Sequence, residues 1–202
     1  MAIYKNNKEI SERNIINMQH FFTADTHFGH KNILKHCNLT RGSFESIKQH
    51  DELIISNWNS KISKGDVVYH LGDFCLGSRD YIVYLSSQLN GQIHLLRGNH
   101  DKGISGHIIN KFIFVKDYHE VSILNKDTGR TQKIVLCHYP FASWKNSIRG
   151  SWCLHGHCHG RLAPINGRLD VGVDSHNFYP LSFEDITTIM AIKSQNNGIG
   201  TP

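Results

Sequence analysis

The chain is punctuated by short apolar runs, each stopping at a polar, often glycine-containing loop, and that pattern leaves few architectures open. The runs are His20 to Ala24, Asp66 to Leu71, Gln92 to Leu96, Phe112 to Val115, Val121 to Leu124, Lys133 to Cys137, Ser151 to Leu154 and Leu169 to Val173. Runs this short, rich in β-branched and aromatic residues, predict strands. The first three are separated by segments with apolar residues at helical spacing. These are Phe44 to Lys61, with Ile47, Leu53, Ile54 and Trp58, and Ser78 to Leu89, with Tyr81, Ile82 and Leu85. Strand alternating with helix predicts right-handed crossovers and a parallel sheet in the first half. In the second half, Val121 to Leu124 and Gln132 to Leu136 flank Asn125-Lys126-Asp127-Thr128-Gly129, which predicts an antiparallel hairpin. Ser182 followed by Asp185 opens an amphipathic stretch (Ile186, Ile189, Met190) as a capping box would, predicting a final helix.

A length of 202 residues with 39% hydrophobic and 19% charged content suits one domain over residues 1–202 and excludes a disordered protein, a coiled coil and a small disulfide scaffold. Residues 1–17 are polar and read as an N-terminal extension, and residues 194–202, polar and glycine-rich, as a loose tail. No stretch approaches the roughly 20 apolar residues of a membrane span, and the N-terminus lacks an apolar signal region. The five scattered cysteines (Cys37, Cys75, Cys137, Cys153, Cys158) point to a reducing cytoplasm. A formal charge of +5 permits nucleic acid as a partner without indicating it.

Histidine is in surplus, 15 residues, and much of it sits where the apolar runs end. In order the ends read Asp25-Thr26-His27-Phe28-Gly29-His30, Gly72-Asp73, Gly98-Asn99-His100-Asp101, His138, and Gly156-His157-Cys158-His159-Gly160. Ligand sites of open α/β sheets lie outside the carboxyl ends of strands, so these segments have a physical reason to converge. An Asp-x-His is expected roughly 0.8 times by chance in this composition, and Asp174-Ser175-His176 is a second copy, so alone it decides nothing. Gly-His-x-His and Gly-Asn-His are each expected only roughly 0.1 times, so the combination carries the signal. Asp25, His27, Asp73, Asn99, His138, His157 and His159 offer only oxygen and nitrogen donors, a set that suits manganese, iron, zinc or cobalt better than a thiolate-bound structural zinc. Two divalent ions against two carboxylates would leave a site of about +2, which deprotonates water and attracts phosphate.

In these blocks the sequence resembles the calcineurin-like metallophosphoesterases, whose pattern is D-x-H, G-D, G-N-H-[DE], H and G-H-x-H, and the match runs from Asp25 to Gly160. The resemblance implies an α/β fold, a four-layer αββα sandwich with two central mixed sheets. It implies two divalent ions, manganese first, with iron, zinc, nickel or cobalt as alternatives. One ion would be held by Asp25, His27, Asp73 and His159, the other by Asp73, Asn99, His138 and His157, with Asp73 bridging. His100 would protonate the leaving oxygen, and Asp101 would orient and polarise His100. The reaction implied is attack on phosphorus by a hydroxide bridging the two metals, in line with general dimetal chemistry.

Several residues keep two readings. His30 faces substrate from the first loop or makes an ordinary loop hydrogen bond. Arg97 contacts phosphate or pairs with a carboxylate, the latter being ahead. His70 and Cys75 read as packing or supporting residues, and the cluster Cys153, His155, His157, Cys158, His159 lacks the partner motif of a zinc finger. The expected substrate is a phosphomonoester or phosphodiester, leaning to a small diester or nucleotide-type compound. The loop Phe74-Cys75-Leu76-Gly77 lacks the arginine that protein phosphatases of the wider superfamily use there, which argues against phosphoproteins. A nuclease on DNA or RNA is the alternative, for which Lys102, Lys145, Arg149 and Arg161 are few. A non-catalytic, metal-loaded binding module comes after it.

Overall fold

A computed structural model of the chain describes residues 18–197. The extension read over residues 1–17 and the tail beyond 197 lie outside the described residues. In chain order the elements are β1 (His20–Thr23), α1 (Ile33–His36), α2 (Asn38–Arg41), α3 (Ile47–Lys61), β2 (Val67–His70), α4 (Arg79–Gln88), β3 (Gln92–Leu96), β4 (Phe114–Lys116), β5 (Tyr118–Asn125), β6 (Arg130–Cys137), β7 (Trp152–His155), β8 (Arg168–Asp170), β9 (Leu181–Ser182) and α5 (Phe183–Asn197).

The strands form two mixed sheets, ordered β4-β3-β2-β1-β9 and β5-β6-β7-β8. β1 to β4 pair in parallel, as the helical crossovers require, and β9 runs antiparallel to β1. In the second sheet β5 and β6 form the expected hairpin, with Asn125 opposite Arg130, and β7 and β8 continue in parallel with β6. Asn125 Oδ1 closes the hairpin turn by accepting the N–H groups of Asp127 and Thr128, both at 3.0 Å. This is the mixed α/β fold with two mixed sheets that the family resemblance implies.

Side-chain alternation along each strand decides what packs where. On β1, Phe21 points to the helices and packs in one cluster with Ile54 and Trp58 of α3, Ile62 just beyond its end, and Ile82 and Leu85 of α4. Its neighbour Phe22 points between the sheets, with Tyr69 and Leu71 against Ile134, Leu136, Leu154 and Leu169. The helices start where their caps dictate: Ser46 Oγ accepts the N–H of Gln49, and Ser78 Oγ that of Tyr81. Ser182 and Asp185 form the expected reciprocal capping box, each side chain accepting the other's N–H at 3.0 Å. From that start α5 sends Phe183, Ile186 and Met190 into the core between the sheets. It runs on to Asn197, so the residues read as a loose tail begin as helix.

Among the described residues no helix is long and apolar enough to cross a membrane. All five cysteines are free thiols.

Candidate metal centre

All the singled-out blocks lie just beyond the carboxyl ends of strands: Asp25 and His27 after β1, Asp73 after β2, Asn99 to Asp101 after β3, His138 after β6, and His157 and His159 after β7. Loop-to-loop hydrogen bonds knit them together. Asp25 N donates to Gly72 O and His27 N to Asp73 O, both at 2.9 Å, and Gly156 N donates to His138 O at 3.1 Å. The two sheets meet here, because His157 N donates to the Asp25 carboxylate (2.9 Å to Oδ2). Asp25, His27, Asp73, His157 and His159 all have positive φ, between 48° and 71°. Side-chain-bearing residues rarely adopt that region, and clustered strain of this kind marks functional sites. The glycines of the blocks make room for carboxylates. A Cβ on Gly98 would land on the Asp73 carboxylate, and one on Gly156 would sit 2.7 Å from Asp25 Oδ2.

Asp73 Oδ2 is central: His27 Nε2 and His138 Nε2 are each 3.6 Å from it, and His100 Nε2 is 4.0 Å away. Ligand atoms of Asp25, His27 and His159 lie within 4.8 Å of one another, and so do those of Asp25, Asp73 and His138. On the other side, Asn99 Oδ1 is 3.1 Å from His138 Nε2 and 3.0 Å from His157 Nδ1. Five of the seven residues singled out as metal ligands fall in these two groups, which share Asp25, and Asn99 and His157 join them through the contacts to His138 and Asp25.

The electrostatics suit cations. Asp25 is fully buried, and burial, with Asp170 and Asp73 nearby, raises its pKa well above the usual carboxylate range against the opposing pull of His159. His27 is 2% exposed, its Nε2 has no hydrogen-bond partner, and burial followed by the Arg41 charge holds its pKa far below the ordinary value. Burying a carboxylate is costly even with a histidine charge nearby, and so is a buried ring nitrogen without a hydrogen-bond partner. A divalent cation between them would satisfy both, so the residues present fit the metal that the donor set implies.

His159 shows how the rings are held. Its Nδ1 is 2.7 Å from Asp174 Oδ2 and 3.5 Å from Cys37 Sγ. Burial alone would lower its pKa, but the hydrogen bond to Asp174 and the nearby carboxylate charges outweigh that and carry it up to about 10. His138 Nδ1 is held at 2.8 Å by Leu71 O.

The remaining candidates are placed as follows. His100 lies at the mouth, 40% exposed, with its ring centroid 5.4 Å from that of His27 and 5.7 Å from that of His30. His30 Nδ1 is 3.3 Å from His27 Nδ1. Arg97 reaches outward toward Asp117, at 3.8 Å, on the rim. The expectation that Asp101 orients the His100 ring meets a different geometry. The Asp101 carboxylate accepts the main-chain N–H groups of Asp73, Phe74 and Gly98 at 2.8, 2.9 and 2.8 Å, and among the described residues it makes no hydrogen bond to His100. His70 is buried on Trp58 and Phe74, as a packing residue. Sequence reasoning missed Arg41 and Asp174. Asp174 was visible only in the second Asp-x-His, which chance explains, and Arg41 carries no local signal.

A family model described as calcineurin-like phosphoesterase matches residues 18–190. An uncharacterized protein of Methanocaldococcus jannaschii is 30% identical over 179 residues, covering 84% of this chain and 90% of its own length. The gene 66 protein of Mycobacterium phage L5 is 26% identical over 185 residues, covering 77% of this chain and 86% of its own. The crystal structure of a protein of unknown function from Aquifex aeolicus is similar with a TM-score of 0.66 at 24% identity, over 86% of this chain and 100% of that one, which is a likeness of fold.

Proposed function

The chain belongs to the calcineurin-like phosphoesterase family, and on that premise we propose that it hydrolyses small phosphodiesters or nucleotide-type esters with two divalent ions, manganese first. Asp25, His27, Asp73 and His159 would hold one ion and Asp73, Asn99, His138 and His157 the other. The observation that carries this reading is the position of Asp73 Oδ2, 3.6 Å from the ring nitrogens of both His27 and His138, beside a buried His27 Nε2 without a partner.

Bound divalent ions would supply positive charge for phosphoryl oxygens and a water acidic enough to react near neutral pH. The chain's own residues do the rest. His100, exposed at the mouth with its main-chain N–H fixed on Asp73 Oδ1 at 2.9 Å, is placed to hand a proton from its ring to the leaving oxygen. Asp101 takes a scaffolding role, holding the loops that carry Asp73 and Asn99. His30 narrows the mouth beside His27 and His100, and Arg97 is assigned to its carboxylate partner Asp117.

A small substrate is favoured over a polymer because Lys145, one of the cations a nucleic-acid groove would use, is paired with Glu120 at 2.9 Å. The free state of all five cysteines supports a reducing compartment. The test compares kcat/KM for bis-p-nitrophenyl phosphate, p-nitrophenyl phosphate and plasmid DNA with manganese present. We expect the small diester to be the best substrate. Preference for the monoester, or DNA cleavage that falls steeply with salt, would replace this reading.

A further inference from the structure

Behind the Asp25, His27 and His159 group lies a buried ion pair that the sequence blocks do not contain. Arg41 closes the second of the one-turn helices, and its side chain and that of Asp174 are both 0% exposed. Every N–H of its guanidinium has an acceptor. Nε donates to Asp174 Oδ1 at 2.8 Å, one terminal nitrogen donates to Asp174 Oδ2 and to the main-chain oxygen of Asp25 (2.7 Å), and the other faces Thr26 O (3.4 Å) and His50 Nε2 (3.0 Å). Asp174 in turn accepts from Thr40 Oγ1 and lies against His159 Nδ1. The network is anchored further, since His50 Nδ1 is 2.8 Å from Asp51 Oδ1 and Asp51 Oδ2 accepts from Gly29 N and Tyr81 OH.

One pair therefore braces opposite walls of the same subsite. Through the Asp25 carbonyl, Arg41 fixes the strand end that carries the Asp25 carboxylate. Through Asp174, it fixes the His159 ring with Nδ1 engaged, leaving Nε2 as the nitrogen free for an ion. Outer carboxylates that engage the far nitrogen of a ligating histidine set its orientation and basicity. A buried Arg–Asp pair is weak evidence for stability, because desolvation offsets its attraction. Among the described residues no hydrogen bond or ion pair joins Asn99, His138 or His157 to either residue, and His138 has its own support in Leu71 O.

Resting on the metal reading above, we propose that Arg41 and Asp174 are positioning residues for one ion only, the one held by Asp25, His27, Asp73 and His159. The experiment titrates chelator-treated full-length chain with Mn2+ and follows free Mn2+ by electron paramagnetic resonance, in the unmodified protein, Asp174→Asn and Thr40→Val. Urea unfolding of each metal-free protein is measured in parallel.

The unmodified protein should bind two ions. Asp174→Asn should weaken one of them by about 10–100-fold and leave the other within about twofold. Thr40 lies on the surface and gives Asp174 only a hydroxyl, so Thr40→Val keeps the test open should Asp174→Asn fail to fold. It should weaken the same single ion by a smaller factor, and Thr40→Ser should restore it. Equal weakening of both ions, or of neither, in the folded variants overturns the proposal. An unmodified protein that binds no Mn2+ overturns the metal reading instead.

Discussion

The Asp101 carboxylate holds the main-chain N–H of Asp73 at 2.8 Å and adds those of Phe74 and Gly98, so one buried side chain ties the β2 and β3 loops together. Asp101→Asn would turn an amide N–H toward one of these donors and lose the charge that makes the bonds strong. We expect urea unfolding of the metal-free protein to show a loss of about 2–4 kcal/mol. If Asp101 acted by polarising His100, stability would be unchanged and only esters with poor leaving groups would slow.

His100 tests the division of labour at the mouth. His100→Ala should keep Mn2+ uptake, since its ring is exposed and outside both ligand groups. It should slow alkyl phosphoesters by about 100-fold or more, while p-nitrophenyl esters, whose leaving group needs no proton, slow far less. Steady-state rates on the two ester classes decide it, and an equal loss on both contradicts the acid role.

Gly156 is where a methyl group should be felt most directly. Its Cβ would stand 2.5 Å from that of Ala24 and 2.7 Å from Asp25 Oδ2. Gly156→Ala should therefore lower stability by about 1–3 kcal/mol and weaken Mn2+ uptake, read by urea unfolding and metal titration. Unaltered values would mean that the loop is freer than its packing indicates.

The acid limb of stability should carry the signature of His70. Thr26 Oγ1 donates its proton to Phe74 O, so the His70 ring donates to that hydroxyl through Nε2 and keeps a bare, unpartnered Nδ1. Burial, with a smaller contribution from His138, lowers its pKa from 6.5 to about 3. A value lower in the folded than in the unfolded chain means that the contribution is complete above about pH 6.5 and drains as pH falls toward 3. His70→Gln, which keeps a donor and does not titrate, should flatten the fall in urea stability between pH 6 and 4 by up to one proton, about 1.4 kcal/mol per pH unit. Parallel curves for the two proteins would contradict this.

Much of the scaffold was legible because each strand announces itself by a short apolar run, and the glycine-containing blocks at the ends of those runs come together as the candidate site. Gln92–Leu96 coincides with its predicted run, whereas the hairpin strands extend beyond Val121 to Leu124 and Lys133 to Cys137, because backbone pairing continues through polar residues that periodicity does not register. The helix predicted from Phe44 starts at Ile47, since Ser46 is the residue that caps it. β9 spans two residues and α1 and α2 one turn each, too short to show a period. Arg41 and Asp174 are 133 residues apart, so their pairing exists only in the folded chain. The use of Asp101 on backbone N–H groups is hidden for a similar reason, as a carboxylate beside a histidine reads as its partner until the loops are seen to close around it.

The most direct test is hydrolysis of bis-p-nitrophenyl phosphate by chelator-stripped protein, with Mn, Zn, Ni or Mg returned singly and bound metal counted. Stripping should abolish turnover, and restoring two ions per chain should return it. Asp73→Asn, which alters the oxygen shared between His27 and His138, should recover neither metal nor activity. Undiminished turnover after complete metal removal, or none with any metal although two ions bind, would contradict the account.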